Sequence, residues 1–184
     1  MATTKITLPA VEIPESSTLT SAGRLIVPGI SIAGREVEID PGSIAALMAC
    51  AREAAASAYA PFSRFPVGSA VVMADDAEGE MFCGSNVENS SYGGTVCAER
   101  GAIFAAAGKG FRRLRWLAVS TVNTLDAPLC ERSPCGLCRQ VIREFADEHT
   151  LVFCDRGEPD MIGDVFDIER LLPFGFQFAP TEGI

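Results

Sequence analysis

Four residues near the middle of the chain combine type and spacing in a way that supports chemistry: Cys97, Glu99, Cys135 and Cys138. Cys135-Gly136-Leu137-Cys138 has the C-x-x-C spacing at which two thiolates reach one tetrahedral metal. Cys97 supplies a third ligand, and no nearby residue is an obvious fourth. Three protein ligands with one position left open describe a catalytic zinc site, since structural zinc is closed by four. Zinc held this way lowers the pKa of a bound water from about 15.7 toward ~7. Glu99 is too close to Cys97 in sequence to be another convenient ligand, but it can set its carboxylate beside that water. There it would take the water's proton and return it to a leaving amine, which is general acid–base catalysis. Three thiolates on Zn²⁺ leave an excess negative charge, so Arg100 and Arg139, each directly beyond a candidate ligand or its neighbour, are expected to hydrogen-bond to sulfur and withdraw charge.

The elements that must position these groups follow from apolar periodicity. Both cysteine clusters fall at expected helix starts, over 97–107 and 137–147, where the partial positive charge of roughly +0.5 and the unpaired amides favour thiolates. An earlier helix starts at Asp40-Pro41 and carries Ile44, Leu47, Met48, Ala51, Ala55 and Ala58 at helical spacing until Pro61. Strands are expected at 67–74, 81–85, 115–121, 150–154 and 162–166, with a short helix over 168–172. Alternating helices and strands imply an α/β fold, a mixed sheet between layers of helices. Residues 1–40 differ in composition and form an N-terminal extension with no readable role. Within it, Ile30, Ile32, Val37 and Ile39 alternate around Ala33-Gly34 as a short hairpin.

The totals exclude several classes. With 184 residues the chain suits one main domain, and a net charge of −9 without any basic run argues against a phosphate-tracking surface. No apolar run reaches the ~18 residues of a membrane span, and the first residues lack a signal-peptide pattern. The expectation is a cytoplasmic protein whose seven cysteines are reduced, with Cys50, Cys83 and Cys154 in the apolar core and Cys130 without a role. His149 is the only histidine and reads as a surface residue, which excludes His-based triads.

Cys97-Ala98-Glu99 followed by Pro134-Cys135-Gly136-Leu137-Cys138 matches the two halves of the zinc deaminase signature. Together with Phe65-Pro66-Val67-Gly68, Asn86-Val87-Glu88-Asn89, Arg139-Gln140 and Leu171-Leu172-Pro173, it resembles the small cytidine deaminase family over about 40–178. The resemblance implies a three-layer α/β/α sandwich with a mixed five-stranded sheet over 41–179, a homotetramer, and one zinc per subunit. It implies hydrolytic deamination of cytidine and 2′-deoxycytidine, a small-molecule nucleoside substrate, in pyrimidine salvage. By the same resemblance, Cys97, Cys135 and Cys138 hold zinc, Glu99 moves the proton, and Asn86 and Glu88 hydrogen-bond the ribose. Phe65 packs on the base, Ala98 offers its backbone amide to the pyrimidine edge, and Arg100 supports the sulfurs. Phe176, among Phe174 and Phe178, is the aromatic contributed by a neighbouring subunit, and Tyr92 lies near that interface.

Phe62, where many members carry tyrosine, and the extension depart from the family plan. They keep open a modified cytosine nucleoside or nucleoside antibiotic as substrate. A nucleoside-binding zinc protein without catalysis is the reading from another class, against which Glu99 stands. Deamination within RNA or DNA is disfavoured by the acidic charge.

Overall fold

In the computed structural model, residues 3–20, 23–27, 29–157 and 162–178 are described. Contacts divide the chain into Met1–Asp40 and Pro41–Ile184.

The first unit is a set of nested antiparallel pairs. β1 (Thr4–Leu8) pairs with β6 (Arg35–Ile39), β2 (Val11–Ile13) with β5 (Ile30–Ile32), and β3 (Ser16–Thr20) with β4 (Gly23–Val27). Ile32 therefore lies opposite Val11, and Val37 opposite Ile6. The two alternating stretches around Ala33-Gly34 each pair with an earlier strand and not with each other. Alternation explains the pairing: half-buried Ile6 and Val37 share one face, while Lys5, Thr7, Glu36 and Glu38 are exposed.

The second unit contains α1 (Pro41–Ala55), β7 (Gly68–Met73), β8 (Met81–Ser85), α2 (Ala98–Gly108), β9 (Leu114–Ser120), α3 (Gly136–Phe145), β10 (Ala146–Cys154), β11 (Asp164–Phe166) and α4 (Ile168–Leu171). The sheet order is β11-β10-β9-β7-β8, with β10 and β9 parallel and every other neighbour antiparallel. It is the mixed five-stranded sheet that the motifs implied. α1 lies against β7, β8 and β9, and α2 against the same strands, while α3 and α4 pack on β10. Every residue of β7 is buried, as a central strand covered on both faces requires.

Two glycines set the layer spacing. A Cβ on Gly68 would lie 1.9 Å from the carbonyl oxygen of Ala51 in α1, and one on Gly84 would lie 2.4 Å from the amide nitrogen of Ala102 in α2. Only glycine lets both helices approach this closely. Between the sheet and α2–α4 lies a core of Val71, Met73, Ile103, Leu117, Ile142 and Val152, with Cys154 among them.

Two expectations change. The helix expected to run to residue 147 ends at Phe145, because the Asp147 carboxylate accepts the His149 N–H and the Thr150 hydroxyl accepts the Asp147 N–H. Those local bonds compete with helix continuation and start the strand early. The second correction concerns Cys50 and Cys83, which are not separate core thiols but a disulfide with a Cα–Cα separation of 6.7 Å. Cys83 sits opposite Ala70 on β8, an edge strand, and is exposed. An apolar-looking strand pattern does not reveal that one face of an edge strand is left uncovered. His149 is exposed, as expected.

Candidate active site

Two helix N-termini converge on the cysteines. Cys97 is the residue that precedes α2, Cys135 precedes α3, and Cys138 lies in the first turn of α3. Their three sulfurs all lie within 4.8 Å of one another, and Cys97 Sγ is 3.9 Å from Cys135 Sγ. Zn–S bonds of ~2.3 Å at tetrahedral angles place sulfurs about 3.8 Å apart, so the cluster has the dimensions of a three-thiolate zinc site. In the protein without metal, a hydrogen bond from the Cys138 thiol, aided by Arg100, brings Cys97 down to about 5, and Cys138 keeps its proton. A cluster in which Cys97 is already biased toward thiolate suits a divalent cation.

Glu99 occupies the first turn of α2 and is 4% exposed. Burial raises its carboxyl to about 7, with the neighbouring Cys97 charge adding to the effect. A carboxyl poised near neutral pH is suited to taking and releasing a proton. Arg100 donates to the Thr95 carbonyl at 2.7 Å and reaches Cys97 Sγ at 3.8 Å. Arg139 does not touch sulfur: it donates to the Pro134 and Leu171 carbonyls and to the Ser133 hydroxyl. Of the two arginines expected to serve the thiolates, only Arg100 reaches one, while Arg139 braces the segment that leads into Cys135.

A cavity of about 310 Å³ opens from this cluster and is lined by Cys97, Glu99, Cys135, Phe65, Asn86 and Glu88, together with Ser63, Val67, Thr95, Val119, Thr121, Glu131 and Ser133. Its volume is in the range of small-ligand sites. The wall made of Phe65 and its neighbours is held by side chains from the strand exit after β8. Asn86 Oδ1 accepts the Val67 N–H at 2.8 Å, and its Nδ2 donates to the Phe65 carbonyl at 2.9 Å. Glu88 Oε2 accepts the N–H groups of Phe62 and Ser63 at 2.8 and 3.2 Å. The bond with the Ser63 side chain, followed by these amides, holds the Glu88 carboxyl below its usual range. Arg64, between them, has φ of 57°, a left-handed conformation that a non-glycine residue adopts only when its surroundings impose it. Phe62 meets Tyr92 edge to face at 6.2 Å beside the cavity.

Most of the expected site residues therefore surround one space, but Arg100, Ala98, Cys138 and Phe176 do not line it. Ala98 and Cys138 are fully buried, Cys138 as part of the sulfur cluster. Phe176 is 64% exposed, and Gln140 holds its backbone through bonds to both its N–H and its C=O. Phe174 and Phe178 are likewise exposed. Ser63, Thr95, Thr121, Glu131 and Ser133 were not singled out from the sequence. Ser133 adjoins the Pro134-Cys135 motif, but nothing in the spacing of the others marks them.

Residues 42–154 match the family model described as the cytidine and deoxycytidylate deaminase zinc-binding region. The chain is 40% identical over 130 residues to the cytidine deaminase of Sporosarcina psychrophila, covering 71% of this chain and 88% of that protein. It is similar in structure to cytidine deaminase from Burkholderia pseudomallei, with a TM-score of 0.61, 38% identity, and coverage of 71% of this chain and 97% of that one. For the Mycobacterium tuberculosis cytidine deaminase structure the TM-score is 0.57 at 36% identity, covering 72% of this chain and 96% of that one.

Proposed function

The chain belongs to the cytidine and deoxycytidylate deaminase family, and from that membership we propose that it hydrolyses cytidine and 2′-deoxycytidine to the corresponding uridines and ammonia. The observation that carries this reading is the buried Glu99 carboxyl beside Cys97, Cys135 and Cys138 at one end of the cavity. Those three cysteines would hold one zinc per subunit. Zinc, when bound, supplies the Lewis acidity that makes water a nucleophile near neutral pH. Glu99 takes a proton from the attacking water and delivers it to the exocyclic amine as the C–N bond breaks. A group whose burial sets it near pH 7 can do both at comparable cost.

The rest of the pocket binds and orients. Phe65 packs on the pyrimidine. Asn86 has one Nδ2 hydrogen left after bracing Phe65, and Glu88 has its second oxygen free of the loop amides. Both reach the ribose hydroxyls with what remains. Arg100 tempers the charge of the thiolates through Cys97. Phe176 covers the base of a neighbouring subunit in a homotetramer, which explains its exposure in the single chain. The setting is pyrimidine salvage in the cytoplasm; among the described residues no helix is long and apolar enough to cross a membrane.

The test is loss of the cytosine absorbance band, with ammonia release, when purified full chain meets cytidine or 2′-deoxycytidine. Turnover of both is expected. A chain that holds one zinc and turns over neither would refute the proposal. Analytical ultracentrifugation checks the tetramer, and a monomer active at assay concentration would rule out the neighbour's Phe176.

A further inference from the structure

Glu131 is the carboxylate in the cavity wall that the reaction does not use. It shares that wall with Glu88 and Glu99, and among the described residues no lysine or arginine lines it. Its backbone is held tightly. The Glu131 N–H bonds the Pro128 carbonyl at 2.9 Å, and its own carbonyl accepts from the Thr124 hydroxyl at 3.3 Å. The next residue, Arg132, is 3% exposed and donates to the carbonyls of Ala127 and Asp155 and to the Asp164 carboxylate. Ser133 is tied to the Leu129 carbonyl and by Arg139. The carboxylate of Glu131, by contrast, has no hydrogen-bond or ion-pair partner among the described residues.

The nearby cations are already committed. Arg132 compensates Asp164 and Arg100 serves Thr95 and Cys97, while Arg64 lies on the exposed loop outside the lining. Three thiolates with one zinc would add further negative charge at the closed end. A ligand phosphate entering this cavity meets like charges and no compensating cation in its lining, and the backbone that carries Glu131 is held in place by its own bonds.

We propose that Glu131 is a specificity-determining residue: its carboxylate, carried at the cavity wall by a backbone segment that Arg132 anchors, admits uncharged or hydrogen-bond-donating groups and disfavours anionic ones such as a sugar phosphate. Discrimination of this kind comes from a repulsive element, which the nucleoside itself never needs to touch. The inference rests on the deaminase reading only for its choice of probes.

The experiment measures kcat/KM for cytidine and for cytidine 5′-monophosphate with the wild-type chain, E131Q, E131D and E131K. In E131Q the ratio of monophosphate to cytidine rises about tenfold, which is the effect of ~1.4 kcal/mol of repulsion removed. In E131K it rises by about a hundredfold at low salt, and the gain shrinks at 1 M salt, where screening reaches ~3 Å. E131D keeps the wild-type ratio. A ratio that stays within about twofold in E131Q and E131K, or one that changes equally in E131D, overturns the proposal. If the zinc-loaded chain turns over no cytidine, the deaminase reading fails by itself. Calorimetric dissociation constants for the same two ligands then give the same ratio, and the same outcomes decide.

Discussion

The two ends of the cavity are built by different means. At the closed end, Cys97 with Glu99 and Cys135 with Cys138 sit at the starts of two helices packed into the core, each pair within one turn by sequence. At the open end, the wall from Phe62 to Val67 is irregular backbone held by Asn86 and Glu88 from 19 to 26 residues away. The closed end takes its geometry from local helix structure; the open end takes it from a few long-range hydrogen bonds. Damage to the first should abolish chemistry, and damage to the second should loosen binding.

The largest effect should come from a proposed zinc ligand. C138S removes one of three sulfurs from a site with no spare, so zinc content falls well below one per chain and cytidine turnover falls to background. Metal analysis of the purified variant checks this. Turnover retained at the wild-type rate would detach Cys138 from the metal.

The Cys50–Cys83 disulfide ties α1 to β8, the strand that leads into Asn86. Closing a loop of this size contributes about 4 kcal/mol by the chain-entropy account, so the C50S/C83S double variant should melt several degrees lower. An unchanged melting temperature, with two further free thiols already titrating in the native chain, would show that the bond does not persist in solution.

Asn86→Ala leaves the Val67 N–H and the Phe65 carbonyl without their side-chain partner, a loss of about 1–3 kcal/mol. KM for cytidine should rise by about tenfold or more while zinc content stays at one per chain, and kcat should change less. A fall in kcat alone would contradict the division between the two ends.

A smaller effect concerns pH. Burial alone would raise the Asp155 carboxyl, but hydrogen bonds from Arg52, the Gly157 amide and Ser120 outweigh it and hold it below its ordinary value. A depressed carboxyl adds stability that is present above its unfolded pKa, about 3.9, and is lost as pH falls through the folded value. Because Arg52 is one-third exposed, the share is modest. The wild-type chain should outlast D155N at pH 6, with the gap closing below about pH 4. Equal melting temperatures at pH 6 would show that the pair contributes nothing.

What the sequence made legible follows the same division. The sulfur cluster and the place of Glu99 beside it could be read because helix starts and C-x-x-C spacing are local features. The five strands of the sheet were legible from period-two and buried apolar runs, with edges misplaced where Asp147 and Thr150 redirect the chain. Asn86 and Glu88 could be named only through the family motif, and their loop-bracing bonds to Phe65, Val67, Phe62 and Ser63 were not visible, since nothing local encodes a contact across some twenty residues. Glu131 and Thr121 were missed for the same reason: the tertiary fold alone brings them to the cavity. The extension's nested pairing also escaped, because Thr4–Leu8 finds its partner strand some thirty residues later.

The central claim is that the closed end performs chemistry through a carboxyl that does not hold the metal. Zinc content and cytidine turnover measured on one preparation of E99Q test it most directly. The account predicts zinc retained at one per chain and turnover lower by ~10²–10⁴-fold, the usual value of positioned acid–base catalysis. Zinc retained together with undiminished turnover would contradict it.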